Sequence, residues 1–373
     1  MPTQPLVTVL MPVFNGGEYL KLSIESILAQ TYKDFEFLII NDCSTDNSME
    51  TIRSFNDQRI AVHTNAANMG QTKSLNVGLK LAKGKYIVIN DADDLSLPQR
   101  IEKQLNFIMK HPEYPVVGTS AYIMDKRGRV IRVFSKPIDP KEICLWILTD
   151  TPLIHGAVIM NKEIILAERG YDEYYITSQD YEFWSRLMRK GYRVINMPDI
   201  LVVIRHYAES MSFKASDRQT IENGKILLAN INGLTARKIT EGEAVRHRKF
   251  FIAPDQLTDD EFKKAEELFV AAYKNLNSNF RQENSFIEAD LRGKLFKPYT
   301  KLALSKFREG QPNEARKVAR HYLDVYGTNH LLLLIWLLSF TGRWSLDAAL
   351  FFHEKSKALS ATMSKFYAAA RDK

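Results

Sequence analysis

Two carboxylates one residue apart follow a short apolar run in the first third of the chain. The run is 86–90, and the acids are Asp91 and Asp93. Carboxylate oxygens are the ligands that Mg²⁺ and Mn²⁺ prefer, and two of them leave positions for phosphate oxygens and water. A divalent ion held there would neutralise a departing diphosphate. An isolated Asp-x-Asp is more often a plain acidic turn, so its meaning depends on the elements around it.

Short apolar runs alternate with amphipathic stretches from residue 7 to about residue 95. This alternation is typical of β-α-β units and predicts an α/β fold with a mostly parallel, Rossmann-like sheet. Ligands of such sheets bind beyond the carboxyl ends of the strands. Polar residues follow four consecutive predicted strands, at Asn15, 41–42, 68–70 and 91–94. The repetition favours a nucleotide or phosphate site over four unrelated turns.

The length and composition of the chain predict two domains. It has 373 residues, of which 45% are hydrophobic and 25% charged. These values exclude a mostly disordered chain, a collagen-like fibre and a multi-span membrane protein. Helical patterns alone remain after about residue 213, so we expect an α/β domain over residues 1–220 and a helical domain over residues 221–373. Two cysteines and a start without basic residues predict no disulfide framework, no signal peptide and a cytoplasmic protein.

The net charge of +7 comes from the C-terminal part. Residues 1–212 carry 24 Lys and Arg against 25 Asp and Glu, and residues 213–373 carry 27 against 19. This excess, with apolar segments at 331–338 and 351–352, suggests peripheral contact with an anionic inner membrane. A helical subdomain that buries its apolar residues explains the pattern at least as well. The apolar stretch 331–340 is too short to cross a bilayer, which takes roughly 20 residues.

Two smaller patterns are also interpreted structurally. The basic run 126–129 is most simply a solvated hairpin turn. The segment 303–322, broken by Gly310 and Pro312, predicts a helical hairpin. One such unit without neighbours at its period does not predict a repeat array.

Four ordered motifs resemble family 2 glycosyltransferases of the GT-A fold. The resemblance covers roughly residues 6–212, in the family's order and spacing. It implies a GT-A domain, a nucleotide-diphosphate sugar as donor and Mn²⁺ or Mg²⁺ as cofactor. The motifs are the segments 7–15, 39–46, 68–79 and 86–94, and the similarity continues through 97–104.

The resemblance also implies roles for individual residues. Asp93 would be the direct metal ligand, and Asp91 would lie close to the ribose, with Ala92 between them. Asp42 would accept hydrogen bonds from the base. The residues implied to border the nucleotide are Pro12, Val13, Phe14, Asn15, Glu18, Asn68 and Gly70. Asn15 and Glu18 are explained equally well as helix-start residues stabilised by the helix dipole, and Asn68 with Gly70 equally well as a plain turn.

Sugar transfer with inversion needs a base that takes the proton from the acceptor hydroxyl. Residues 178–184 resemble the acidic motif of the family, and Asp180 falls on the base position, with Gln179 in place of the usual first acid. Glu182 is the rival, but on a helix it points about 200° away from Asp180, as a solvated partner. Trp184 shares the face of Asp180 and either lines the acceptor pocket or packs in the core.

Two histidines are weaker candidates. The stretch 153–157 matches a family segment that faces the acceptor, which makes His155 a candidate substrate contact, although a lone His after an apolar pair is more often structural. Near residues 205–212 the family often has Arg-x-His-x-x-Ser-x-Ser. Anchored on the serines, the His position falls on Tyr207, with His206 beside it. We include His206 as a candidate metal ligand.

The expected function is therefore an inverting, metal-dependent glycosyltransferase. We expect it to move a hexosyl or N-acetylhexosaminyl group from a UDP-sugar to a hydroxyl of a glycan or lipid-linked acceptor in cell-surface polysaccharide synthesis. Nucleic acid is not an expected partner.

Two alternatives stay open from the sequence. A nucleotidyltransferase would carry a Gly-rich basic phosphate loop after its first strand, and the segment 12–16 is not one. A non-catalytic interaction protein on a glycosyltransferase-like scaffold would have no reason to keep Asp42, Asp91, Asp93 and Asp180. A processive polysaccharide synthase is disfavoured because the Gln-x-x-Arg-Trp motif is lacking.

Overall fold

A computed structural model describes residues 4–206, 217–235, 237–278, 284–327 and 332. The chain divides into two compact units, Met1–Val245 and Arg246–Lys373. The segment 221–245, which the sequence analysis assigned to the helical domain, is grouped with the first unit. Tyr207, the serines of the 205–212 motif and the apolar segments at 331–338 and 351–352, apart from Leu332, lie outside the described residues.

The first unit is built on a mixed sheet. Its strands are β1 (Val7–Val13), β2 (Phe35–Asn41), β3 (Ile60–Thr64), β4 (Tyr86–Ile89), β5 (Leu95–Ser96), β6 (Val116–Met124), β7 (Val130–Phe134), β8 (Ile159–Asn161) and β9 (Val194–Arg205). The order in the described part of the chain is β3-β2-β1-β4-β8-β6-β9-β5, and β7 pairs with β6. The strands β1 to β4 are parallel to one another, as predicted. The strand β8 runs antiparallel to both its neighbours.

Helices cover the sheet and continue beyond it. The helices of the first unit are α1 (Leu20–Leu28), α2 (Ser48–Arg53), α3 (Gln71–Leu81), α4 (Arg100–Lys110), α5 (Pro140–Trp146), α6 (Lys162–Ala167), α7 (Gln179–Arg189) and α8 (Asp217–Leu234), with 3-10 turns at Gly17–Tyr19 and His155–Ala157. The boundary between the units falls within α9 (Glu241–Ile252).

The sheet core is buried on both faces. Every residue of β1 and β2 is buried, as expected of near-continuous apolar strands covered by helices on each side. One face packs Val9 and Phe37 against Ile24 of α1, within a larger apolar cluster. The other packs Leu10 and Leu75 within a second cluster that includes residues of α7. The parallel pairing of β1 with β2 and β4, and of β2 with β3, sets the place where the strand ends meet.

The carboxyl ends of the parallel strands form one edge. The last residue of β1, Val13, lies opposite Asn41 at the end of β2, and the next backbone N–H, of Asp42, donates to the Val13 carbonyl at 2.7 Å. Asn65, just after β3, donates its backbone N–H to the Asn41 carbonyl at 2.9 Å. The strand-end residues are thus adjacent, as the sequence predicts.

The second unit is helical in its described residues. After a 3-10 turn at Pro254–Gln256 it contains α10 (Asp259–Ser278), α11 (Asn284–Arg308) and α12 (Pro312–Tyr326). The predicted helical hairpin is confirmed, since Gly310 adopts a φ of +77° between α11 and α12. Buried aromatic side chains of Phe262, Tyr299 and Tyr322 hold this unit together. Of the helices in the described residues, none is long and apolar enough to span a membrane.

Candidate active site

The acid after β2 is fully engaged by the loop that precedes α3. The Asp42 carboxylate accepts backbone N–H groups from Met69 at 2.9 Å and Gly70 at 2.8 Å. It also accepts the side-chain amide of Asn65 at 2.7 Å. Only 2% of Asp42 is exposed. The carboxylate therefore holds the 65–70 loop in place, and its contact with a base stays a prediction.

The predicted nucleotide-bordering residues of the first loop separate into buried and exposed ones. Pro12 and Val13 are buried in β1, and Val13 packs in the core. Their side chains are therefore not available at the edge, and only their backbone could border a ligand there. Phe14 and Glu18 are exposed at the start of the segment leading to α1. Of these four, Phe14 and Glu18 alone offer side chains to a nucleotide.

Asn15 and Asn68 both shape turns at this edge. Asn15 has a φ of +50°, and its side-chain oxygen accepts the backbone N–H of Thr45 at 2.8 Å. The side-chain oxygen of Asn68 accepts the Gly70 backbone N–H at 3.1 Å. Gly70 has a φ of +86°, a conformation that side chains rarely adopt. The plain-turn explanation of Asn68 and Gly70 is thus supported by the structure, and Asn15 also forms a turn, a role that was not predicted for it.

Three carboxylates gather after β4. Asp91 and Asp93 are half-buried and Asp94 is buried. Gly156 lies against them, because a Cβ atom there would come within 2.7 Å of an Asp91 carboxylate oxygen. Ala92 is half-buried and packs on the apolar core beneath. The segment thus presents its acids together at the strand end.

Burial and mutual repulsion act on these acids. Burial, and then the charges of Asp93 and Asp91, raise the pKa of Asp94 well above its ordinary value. Burial also raises the pKa of Asp91; nearby His155 opposes this rise, and the charges of Asp93 and Asp180 add to it. A cation placed among these acids would relieve the repulsion.

Asp180 lies in the first turn of α7, and its charge acts on Asp91. Burial raises its pKa, while His155, the backbone N–H of Tyr181 and Lys136 lower it. The N–H of Tyr181 donates to the carboxylate at 2.8 Å. Lys136 is itself buried and donates to the Thr151 carbonyl at 2.6 Å. Asp180 is therefore a half-buried carboxylate with a raised pKa, which is the property expected of a general base.

His155 connects the two acidic positions. Its Nδ1 lies 3.9 Å from an Asp91 carboxylate oxygen, and its Nε2 lies 3.0 Å from the hydroxyl of Tyr171. Burial raises the pKa of Tyr171 well above its ordinary value, so this residue stays a phenol and can donate to Nε2. The 3.9 Å between Nδ1 and the Asp91 carboxylate is longer than a hydrogen bond, so the two groups interact through charge alone. The imidazole lies beside the acids, and its contact with an acceptor stays a prediction.

A chain of amides links α7 to Asp91. The Gln179 side chain donates to the Gln71 side chain at 3.3 Å, and Gln71 donates to the Asp91 carboxylate at 3.3 Å. A carboxylate at position 179 would add a further negative charge to a group of buried acids. Glutamine joins the elements without that charge.

Comparison with known proteins agrees with this geometry. The profile of Glycosyl transferase family 2 matches residues 8–167. An uncharacterized glycosyltransferase of Methanocaldococcus jannaschii is 36% identical over 207 residues, which cover 54% of this chain and 71% of that protein. The putative glycosyltransferase EpsE of Bacillus subtilis is 34% identical over 220 residues, covering 57% of this chain and 77% of EpsE.

The chain belongs to glycosyltransferase family 2. The fold agrees with the crystal structure of S. aureus TarS 1–349 in complex with UDP-GlcNAc, which matches with a TM-score of 0.53 over 82% of this chain and 92% of that one, at 17% identity. The predicted GT-A fold is confirmed, and the protein is a glycosyltransferase. The nucleotidyltransferase and scaffold alternatives are set aside.

Of two side chains in α7 of this glycosyltransferase, Trp184 follows one of its two predicted explanations and Glu182 differs from expectation. Trp184 is fully buried and packs against Phe183 in the core, so of its two explanations the structure supports the core role and not the acceptor pocket. Glu182 is not solvated as expected; it is buried and accepts from Arg186 at 3.0 Å. The prediction that Glu182 points away from the base position is consistent with this ion pair. Trp184 is buried because it packs within an apolar cluster, and Glu182 can be buried because the guanidinium of Arg186 balances its charge.

The metal site at the acids after β4 and the role of His206 as a metal ligand both stay predictions. In the described residues, no group of three or more His, Cys, Asp or Glu could hold a metal ion. His206 is half-buried and donates its backbone N–H to the Met124 carbonyl at 2.9 Å. Mg²⁺ and Mn²⁺ are commonly held by one or two carboxylates together with substrate phosphates. The Asp91–Asp94 segment fits that mode, because Asp91 and Asp93 are both half-buried and so partly accessible to a ligand.

Several contributors were not assigned a role from the sequence. Arg100 is buried and holds the end of β4 by donating to the Asn90 side chain at 3.0 Å and the Ile89 carbonyl at 2.7 Å. Its place in the 97–104 motif was the available signal. Tyr171 and Lys136 carry no motif, and they reach the site through folding alone.

Proposed function

We propose that this glycosyltransferase is an inverting enzyme that uses a divalent ion and a nucleotide-diphosphate sugar. The observation that carries the proposal is the gathering of Asp91, Asp93 and Asp94 after β4, with the charge of Asp180 acting on Asp91 and with raised pKa values at Asp91, Asp94 and Asp180. Such an arrangement suits one cation and one general base at a single reaction centre.

The roles follow from the chemistry of the donors. Asp93, with Asp91, would hold Mn²⁺ or Mg²⁺ together with diphosphate oxygens. When bound, the ion supplies positive charge that stabilises the departing diphosphate. The 65–70 loop, fixed by Asp42, would border the nucleotide.

Asp180 would act on the acceptor. Its carboxylate takes the proton of the acceptor hydroxyl while that oxygen forms a bond to the anomeric carbon. The bond from the anomeric carbon to the diphosphate oxygen breaks on the opposite face, and its electron pair leaves with the diphosphate. The configuration at the anomeric carbon is therefore inverted.

A UDP-sugar and a polysaccharide or lipid-linked acceptor complete the proposal. The structurally similar TarS was crystallised with UDP-GlcNAc and with UDP. A relative, 28% identical over 204 residues, is the amylovoran biosynthesis glycosyltransferase AmsE of Erwinia amylovora. These relatives support the donor and the acceptor class. We keep the basic C-terminal region as a proposed acceptor, membrane or partner contact, and a peripheral position at the inner membrane face as its consequence.

Two measurements test this proposal. The midpoint temperature of thermal unfolding is measured with Mn²⁺ and each of a panel of nucleotide sugars. We expect UDP-sugars to raise it most, because a ligand stabilises the state that binds it. The first-formed anomer of the released or transferred sugar is then identified by proton NMR. Inversion is expected; a retained configuration would overturn the assignment of Asp180 as the base.

A further inference from the structure

The hairpin between β6 and β7 ends in a turn that is held by several hydrogen bonds. We call residues 125–134 the hairpin tip. The Asp125 carboxylate accepts the backbone N–H groups of Arg127 at 2.9 Å and Arg129 at 3.0 Å, and the Arg129 side chain at 2.9 Å. Gly128 completes the turn with a φ of +79°. The tip therefore has a fixed shape, as the predicted hairpin turn required.

Aliphatic side chains of the tip are exposed on both sides of β7. Val130 is 56% exposed, Ile131 54% and Val133 46%. Successive residues of a strand point to opposite faces. Residues 130–133 of β7 therefore lack cover from the rest of the described unit, whereas Phe134 at the end of the strand packs on the core; β1 and β2, in contrast, are fully buried.

Basic side chains surround these aliphatic ones. The exposed Lys126, Arg127, Arg129 and Arg132 share the tip with a single acid, Asp125. The tip is thus a cationic and apolar projection on a unit whose first 212 residues carry a net charge of −1. This pairing of aliphatic and basic groups is complementary to the interface of an anionic bilayer, where acyl chains adjoin lipid phosphates.

The tip projects beside the candidate active site. The last residue of β6, Met124, accepts the backbone N–H of His206 at 2.9 Å. Arg205, the residue before His206, donates its backbone N–H to the Asp94 carboxylate at 2.9 Å. The hairpin therefore leaves the sheet next to the acids that follow β4. A surface bound by the tip would lie at the edge of that site.

We propose that the hairpin tip docks the catalytic unit on an anionic lipid bilayer. Ile131 and Val133 enter the interface, and Lys126 and Arg127 meet lipid phosphates. A protein strand added along β7 is disfavoured, because basic side chains on an edge strand oppose such pairing. The inference goes beyond the proposed function, and it does not depend on the metal, the donor or the base.

Flotation of the full chain with vesicles tests the inference. One set contains phosphatidylcholine alone, and the other equal parts of phosphatidylcholine and phosphatidylglycerol. We expect wild-type protein to float with the anionic set at low salt. The double variants Lys126→Glu/Arg127→Glu and Ile131→Ser/Val133→Ser should each lose at least about tenfold in partition, because each basic residue near an anionic surface contributes measurably to binding.

A matched control separates the tip from general surface effects. Met109→Ser/Lys110→Glu changes an exposed apolar and an exposed basic residue on α4, and it should float like wild type. Donor hydrolysis without vesicles should be unchanged in all three double variants, so failure of the proposed chemistry is distinguishable from failure of docking. Unaltered flotation of both tip variants overturns the inference. It is equally overturned if sedimentation shows a vesicle-independent dimer that the tip variants abolish.

Discussion

Asp42 after β2 and the acids after β4 lie at the same edge of the sheet but differ in what surrounds their carboxylates. Asp42 receives three hydrogen bonds from the 65–70 loop and is almost fully buried. Asp94 is also buried, yet burial and the charges of Asp93 and Asp91 raise its pKa. Asp42 accepts hydrogen bonds from donors of the chain itself, whereas the acids after β4 repel one another.

This difference separates a structural acid from acids suited to a ligand. A carboxylate that accepts several N–H groups contributes to folding without any ligand. A group of mutually repelling carboxylates destabilises the folded protein until a cation or a proton binds. Asp42 therefore fixes the loop, and we propose that the segment after β4 holds the cation. The following changes would break or sharpen that assignment.

The largest effect is expected at Asp180. Asp180→Asn should lower the rate of transfer by about 10²–10⁴-fold, because the general base is removed while the shape of the side chain is kept. Steady-state rates and donor binding are measured together, and donor binding should persist. Glu182→Gln, on the same helix, is the control: it weakens the ion pair with Arg186 and should leave the rate of the folded enzyme unchanged. A rate for Asp180→Asn near wild type would refute the base.

Asp42→Asn should reduce the free energy of unfolding by about 2 kcal/mol, since an amide NH₂ would face donors that now bind a carboxylate oxygen. Urea denaturation measures the change. Asp34→Asn, at an exposed position before β2, should change stability by no more than about 0.5 kcal/mol. Equal effects at both positions would contradict a loop-fixing role for Asp42.

Mn²⁺ should raise the free energy of unfolding of the wild-type protein by about 1.4 kcal/mol at ten times its Kd, by mass action. Asp93→Asn should abolish this gain. Asp42→Asn should retain it, although its free energy of unfolding without Mn²⁺ is lower than that of wild type. Thermal unfolding with and without Mn²⁺ gives both values. Retention of the gain in Asp93→Asn would move the ion away from the segment after β4.

Asp94→Asn should stabilise the metal-free protein at neutral pH by roughly 1 kcal/mol, the scale of one pKa unit. The amide oxygen can still accept the Arg205 N–H, and the repulsion disappears. Because the folded-state pKa of Asp94 is raised, the wild-type carboxyl costs no stability below its ordinary pKa, and the cost grows as the pH rises from that value to the folded-state pKa. The advantage of the variant should therefore vanish as the pH falls. A loss of stability at neutral pH would argue against repulsion.

The smallest effect concerns the pH dependence. Asp180 works as the carboxylate, so activity should fall as the pH drops through its raised pKa. Lys136 lowers this pKa, and Lys136→Met should move the acidic limb of the activity profile to higher pH. Lys126→Met, at an exposed position of the hairpin tip, should leave the limb in place. An unchanged limb in Lys136→Met would show that Lys136 does not act on the base.

Local patterns in the sequence predicted the parallel half of the sheet well. The apolar runs of β1, β2 and β4 are buried on both faces, and their ends carry the polar motifs that meet at one edge. The antiparallel β8 and the pairing of β6 with β9 were not predicted, because these pairings join segments far apart in the chain. The hydrophobic periodicity of a segment predicts its local structure, and it does not predict which distant segment it pairs with.

The candidate site follows the same division. Asp91 and Asp180 could be named from motifs, since their residue types carry the chemistry. Tyr171 and Lys136 could not, because a lone Tyr or Lys acquires its role only through what it contacts after folding. Trp184 was ambiguous for a related reason: sharing a helical face with Asp180 does not tell whether that position borders a pocket or the core.

The most direct test of the account measures nucleoside diphosphate released from the donor that stabilises the protein best. The metal is first removed with a chelator, and Mn²⁺ is then added back to wild type, Asp93→Asn and Asp180→Asn. The account predicts release by wild type only with Mn²⁺ and a severe loss in both variants, with folding intact. Release by wild type that is equal with and without Mn²⁺, or that persists in both variants, would contradict it.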